Sequence, residues 1–127
     1  MFKRIDCIRF HVPDLDAALH FYRDKLGLEL VWRVGNSEAG LKMGDSDSEL
    51  VLVTEGLEQP EIDFMVDSVY SAVEKLKKIG GKLLADPFEI KIGKCSVVED
   101  PWNNRFVILD RSKGLLKVDE NKSVRQE

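Results

Sequence analysis

At 127 residues, with 43% apolar and 33% charged side chains, the chain has the size and balance of one globular domain that can bury a core without disulfides or a structural metal. Its net charge of −4 lacks the basic footprint of non-specific nucleic-acid binding, and no apolar run approaches the length of a membrane span. The opening Met1-Phe2-Lys3-Arg4 leads into strand-like alternation rather than a signal-peptide stretch, and Cys7 and Cys95 form no CxxC pattern, so a cytoplasmic chain with two free thiols is expected.

Period-two alternation over Ile8, Phe10 and Val12 predicts the first strand. Asp14 can cap the helix that follows, in which Leu15, Ala18, Leu19, Tyr22 and Leu26 recur at helical spacing until Gly27 stops it. Short strands are expected over 29–34, 40–43 and 49–54, with turns at Gly35-Asn36 and Gly44-Asp45-Ser46. Residues 55–60 read as a linker, and then the pattern begins again.

An offset of 54 residues lays 7–30 onto 61–84 without a gap. Ile8 falls on Ile62, Phe10 on Phe64, Val12 on Val66, Ala18 on Ala72, Gly27 on Gly81 and Leu30 on Leu84. The second copy has its own strand, its own cap at Asp67 or Ser68, and a helix carrying Val69, Ala72, Val73, Leu76 and Ile79 up to Gly80-Gly81. Strands are expected over 82–84, 89–92, 94–99 and 105–110, with Asn103 or Asn104 taking the tight position of the last turn. The charged, aperiodic residues 113–127 are expected to fray. The organisation is thus one domain over 1–112, with modules at 5–54 and 60–111. The fold class is α+β: two βαβββ modules forming a curled mixed sheet around a cleft.

Strand alternation also assigns an inner face. If Ile8, Phe10 and Val12 pack on a helix, Cys7, Arg9 and His11 point the other way. By the same parity Glu61, Asp63 and Met65 face inward in the second copy, as do Arg105, Val107 and Leu109. Arg9 and Arg105 are suited to forking onto a carboxylate or phosphonate, and His11 or Glu61 to acting as a general base. The competing reading is an ion bridge from Arg9 to Glu61 or Asp63 that only holds the structure. Trp32, Phe88 and Trp102 are aromatic candidates for stacking on a ligand, or equally for packing.

The stretches VPDLDAALHFYRDKLGLEL, EKLKKIGGKL and VVEDPWNNRFVIL resemble the vicinal oxygen chelate superfamily, which includes glyoxalase I, extradiol dioxygenases and bleomycin-resistance proteins. The last stretch resembles the family's E-D-P-x-G-N turn, with Asn103 in place of the usual glycine. The resemblance covers about residues 5–111 and implies four positions that converge on a divalent metal: Cys7, Val51 or Val53, Glu61 and Val107. Two of these are hydrocarbon, so no metal cofactor is expected. Cys7 and Glu61 remain weak candidate ligands, and Glu49 and Glu55 share strand parity with the valines. The resemblance implies a protein that binds a small molecule in the cleft, and with the strand parity above it makes Cys7, Arg9, His11, Trp32, Val51, Glu61, Asp63, Arg105 and Val107 the expected lining residues. The alternative it leaves open is a metal-dependent lyase, isomerase or dioxygenase resembling glyoxalase I. A homodimer is implied by the resemblance alone.

Overall fold

The computed structural model describes residues 1–124. Its contacts fall into two compact units, each built on one copy of the repeat. The first-copy unit comprises residues 6–61 and 116–124, and the second-copy unit comprises residues 1–5 and 62–115. No helix among the described residues is long and apolar enough to cross a membrane.

The first copy runs β1 (Arg4–His11), α1 (Leu15–Leu19), β2 (Glu29–Val34), β3 (Glu38–Lys42) and β4 (Glu49–Val53). The second runs β5 (Glu61–Met65), α2 (Val69–Lys78), β6 (Lys82–Ile90), β7 (Gly93–Glu99) and β8 (Arg105–Leu109). The strand orders match: β2-β3-β4-β1 in one, β6-β7-β8-β5 in the other. In each copy the first strand pairs parallel with the last, and the other pairs are antiparallel. The α+β class and the two βαβββ modules are as the repeat predicts.

Capping chemistry starts both helices. The Asp14 carboxylate accepts the Ala17 amide at 3.0 Å, and Ser68, not Asp67, accepts the Ser71 amide at 3.4 Å. The first helix is not uniformly α. From His20 to Lys25 it widens into a π-helical stretch, in which the Leu26 amide reaches back to the Phe21 carbonyl at 2.9 Å. Gly27 (φ +88°) and Gly80 (φ +104°) end the two helices in the left-handed region, which a Cβ disfavours. At the last turn Asn103 takes φ +68°, and the Asp100 carboxylate accepts the amides of Trp102 and Asn104 at 2.8 and 2.9 Å.

The helix-facing parity of each sheet makes a core. Val12, Leu15, Leu19, Ala39, Leu41, Leu50 and Leu52 form one cluster, with Phe10 packed against it. Val66, Val69, Ala72, Val73, Val98 and Ile108 form its counterpart, with Phe64. Ile62 departs from the expected packing, since it lies 40% exposed on the surface. One buried carboxylate fastens the second copy. Asp110 accepts the Val69 amide at the start of α2, the Lys94 amide on β7, and the amide and hydroxyl of Ser112. Burial opposes its ionisation, yet these bonds together hold the carboxyl below its ordinary range.

Strand bounds in the second copy differ from the expectation. Residues 82–84 and 89–90 do not form separate strands but belong to one long β6, and Lys91 and Ile92 lie in the turn to β7. Pro87 fits because β6 is the last strand of its sheet and Pro87 falls between Ala85 and Phe88, where it pairs with no β7 residue. Register shifts between Leu83 and Phe88 take up the irregularity. Of the charged tail, residues 113–115 belong to the second-copy unit and 116–124 to the first-copy unit. The Arg33 amide donates to the Lys122 carbonyl at 2.8 Å, and the Val124 amide donates to the Arg33 carbonyl at 2.9 Å. Residues 125–127 of the expected tail lie outside the described residues.

Candidate functional site

In the first-copy unit the face opposite α1 has an apolar part and a charged part. Cys7, Trp32, Val51, Val53 and Val124 form the buried apolar cluster, with Leu116 and Val118 packed against it. Parity explains its strand members: Cys7 lies two residues from Arg9, and Val51 two from Val53. Trp32 reaches this face through a register shift between Leu30 and Trp32. Its indole lies directly over Gly40, where an added Cβ would sit 2.1 Å from Nε1. The Trp32 Nε1 donates to Glu49 Oε1 at 2.7 Å. Glycine at position 40 thus lets the ring lie flat on the sheet, and Glu49 fixes its azimuth.

The charged part centres on Arg9. Its Nη2 donates to Glu38 Oε2 at 2.8 Å, and its Nε lies 3.7 Å from Glu61 Oε2. All three groups are half-buried, so the two carboxylates on one guanidinium are only partly screened by solvent. The expected Arg9–Glu61 bridge is present. Glu38 lies outside the expected strand, which begins at Gly40, two residues after the observed start of β3. His11 stands exposed at the end of β1, and among the described residues no hydrogen bond fixes its imidazole.

The remaining candidates belong to the second-copy unit. Asp63 is 4% exposed and sits in register with Val107. Val107 is buried with Met65, Cys95 and Leu109. The Arg105 side chain is 73% exposed, and its Nε lies 3.2 Å from Glu99 Oε2. Glu99 is mostly buried on the face that Asp63 shares, and no pattern in the sequence marks it. Trp102 and Phe88, the other aromatic candidates, are both exposed.

Register settles which valine stands at the implied metal position of β4. Arg9 pairs with Val51, and its repeat counterpart Asp63 pairs with Val107, so Val51 is the match of Val107. The four implied positions are therefore thiol, isopropyl, carboxylate and isopropyl. The thiol of Cys7 is 3% exposed within an apolar cluster, and the Glu61 carboxylate is turned to Arg9. A divalent ion needs several N, O or S donors, and this set does not fit one. Among the described residues no three His, Cys, Asp or Glu side chains are gathered as a metal site.

Two βαβββ copies, each with its first and last strands parallel, define a paired-module α+β protein. The chain belongs to the glyoxalase/bleomycin resistance protein/dioxygenase superfamily, whose model matches residues 4–108. It is 29% identical over 126 residues to a protein of Arabidopsis thaliana described as a probable chloroplastic lactoylglutathione lyase. The match covers 86% of this chain and 36% of that protein, so the chain spans about a third of this relative's length. Among solved structures it is similar to methylmalonyl-CoA epimerase from Mycobacterium tuberculosis, with a TM-score of 0.74 and 18% identity over 87% of this chain and 89% of the other. A Streptomyces coelicolor methylmalonyl-CoA epimerase variant in complex with 2-nitronate-propionyl-CoA gives a TM-score of 0.71 and 22% identity, covering 88% and 99% of the two chains. At these identities the structural likeness is one of fold.

Proposed function

We propose that this chain binds a small molecule on its inner sheet faces and does so without the divalent metal that the resemblance implies. The observation that carries the reading is the pairing of Arg9 with Val51 and of Asp63 with Val107, which puts hydrocarbon at two of the four implied positions. The first-copy face offers a ligand an apolar floor of Cys7, Trp32, Val51 and Val53 beside the Arg9–Glu38–Glu61 group. A ligand anion would have to take Arg9 from carboxylates it already holds. A ligand carrying hydrogen-bond donors or a positive charge meets Glu38 and Glu61 without that cost. A reducing compartment such as the cytoplasm suits the two buried free thiols. Homodimer assembly completes the reading, and light scattering tests it.

The test is elemental analysis of protein purified without chelator, joined to native mass spectrometry against a metabolite pool. The expected result is no stoichiometric transition metal together with capture of a defined small molecule. Glu38→Ala is expected to weaken capture while leaving the circular dichroism spectrum intact.

A second reading, a metal-dependent lyase, is favoured by Glu49. It pairs with Cys7 across β1 and β4 and stands one pleat from Val51, so a carboxylate lies near the implied position. The named lyase relative supports the same reading. One equivalent of bound metal, lost on Glu61→Ala or Glu49→Ala, would establish it and defeat the first.

A further inference from the structure

We propose that the C-terminal segment 116–124 is a displaceable cover, occupying an apolar subsite on the first-copy face that takes an apolar or aromatic group of a ligand. The inference rests on the reading of that face as ligand-binding. Leu116, Val118 and Val124 lie where such a group would lie, against Cys7, Trp32, Val51 and Val53. These strand residues form one apolar cluster, against which Val31, Val34 and Leu57 also pack, and the segment supplies the remaining side chains that complete it. Exposed apolar surface is what a ligand or a partner covers.

The segment is built to move as a piece. It is closed on itself by Asp119, whose backbone bonds Ser123 and Lys122 and whose carboxylate accepts the amides of Asn121 and Ser123 at 2.8 and 3.1 Å. Lys122 takes a left-handed φ of +66°, a strained turn position for a lysine. Its ladder to the sheet is a single bridge at Arg33, whereas β3 pairs with β2 over five residue pairs. Upstream, Gly114 has φ +97° with open space around it, a hinge position where the chain can redirect. A short ladder, few apolar anchors and a nearby glycine mark the low-stability end of a structure, which opens before the core does. Opening would bare Trp32 and Cys7 together.

The two thiols supply the test. Cys7 lies in the cluster that the cover completes, and Cys95 is equally buried in the separate second-copy cluster with Met65 and Val107. Iodoacetamide labelling of the full-length protein, mapped by peptide mass spectrometry, reads each site alone. Val124→Asp is expected to raise the Cys7 rate by about tenfold or more and leave Cys95 within about twofold. An unchanged Cys7 rate would overturn the proposal. So would a matched rise at both thiols, because the segment would then be part of the core. Hydrogen exchange on the unaltered protein needs no variant. The Val124 amide is expected to exchange about tenfold or more faster than the Leu41 amide, and equal protection overturns the cover. The apolar-ligand half is read with Nile red, a neutral dye. It is expected to bind Val124→Asp more tightly than the unaltered protein and to slow Cys7 labelling there, and failure of either removes the subsite. None of these measurements needs the natural ligand, so they can fail while metabolite capture succeeds, and the reverse.

Discussion

The two copies agree on one face and differ on the other. On the helix side the pairs are Phe10 and Phe64, Val12 and Val66, Leu15 and Val69, Ala18 and Ala72, Leu19 and Val73, apolar throughout and packed in matching clusters. On the opposite side Cys7 stands against Glu61, Arg9 against Asp63 and His11 against Met65. A helix docked on a sheet constrains volume and polarity at every position it covers, so that side tolerates only apolar swaps. The inner face carries no such demand, and there the copies have taken up different chemistry. The first copy has an indole laid over glycine and a covering segment. The second has a buried Asp63 and a mostly buried Glu99. A repeated fold therefore does not imply a repeated site, and the chemistry of this chain is to be sought in the asymmetry.

The largest effect expected tests the shared face. Leu19, almost wholly buried, replaced by alanine should cost about 3 kcal/mol, and the counterpart Val73→Ala should cost less because fewer methyl groups leave the core. Urea midpoints measure both. Equal and small losses would mean that the two helix faces are not the anchors described here.

Next comes a place where the copies diverge behind the helix. Asp110 follows Leu109 as Thr54 follows Val53, yet the Thr54 hydroxyl bonds the Ser37 carbonyl while Asp110 bonds α2 and β7. Asp110→Asn replaces one acceptor oxygen by a donor facing amides, and should cost about 1–3 kcal/mol. Because the folded carboxyl titrates below its ordinary value, its stabilisation is complete above the unfolded pKa of about 3.9 and fades as pH falls through the folded one. Urea midpoints of the two proteins should therefore converge below about pH 4. A gap independent of pH would show that the charge contributes nothing.

The asymmetry of the inner face is tested at Gly40. Alanine there collides with the Trp32 ring and should lift the indole from Glu49, at a cost of about 1–3 kcal/mol. Its signature is a change in tryptophan emission. An unaltered spectrum would mean that the ring is not held flat as described.

How much of this was legible in the sequence follows from the range of each interaction. Period-two alternation was enough to gather Cys7 and Val51 on one face and Phe10 and Leu52 on the other, because the pleat itself enforces it. Helix caps and stops were legible at Asp14, Gly27 and Gly80, since each acts within one turn. Three features were not. The single strand β6 was hidden by Pro87, which normally breaks strands and is tolerated only at an edge that the sequence cannot show. The Arg9–Glu38 contact joins residues 29 apart, and no local pattern specifies it. The placement of 116–124 depends on three apolar residues, of which Val124 is cut off from the other two by the polar run 119–123, too few to read as a strand.

The smallest effect expected compares the two caps. Asp14 holds the Ala17 amide at 3.0 Å with a charge beside a helix N-terminus, and Ser68 holds the Ser71 amide at 3.4 Å with a neutral hydroxyl. Both caps are solvent-accessible at the bond itself, which limits either contribution. Asp14→Ala should therefore cost about 1 kcal/mol and Ser68→Ala about half of that. The order is the informative part. α2 has a second anchor in the Asp110 bond to Val69, so removing Ser68 leaves its first turn held, whereas α1 runs only from Leu15 to Leu19 before it widens. If Ser68→Ala proved the more damaging, the short bond would not be the stronger one, and the Asp110 anchor would not share the load. The Asp110→Asn, Ser68→Ala double variant settles which: a loss greater than the sum of the singles means that the two groups back each other up.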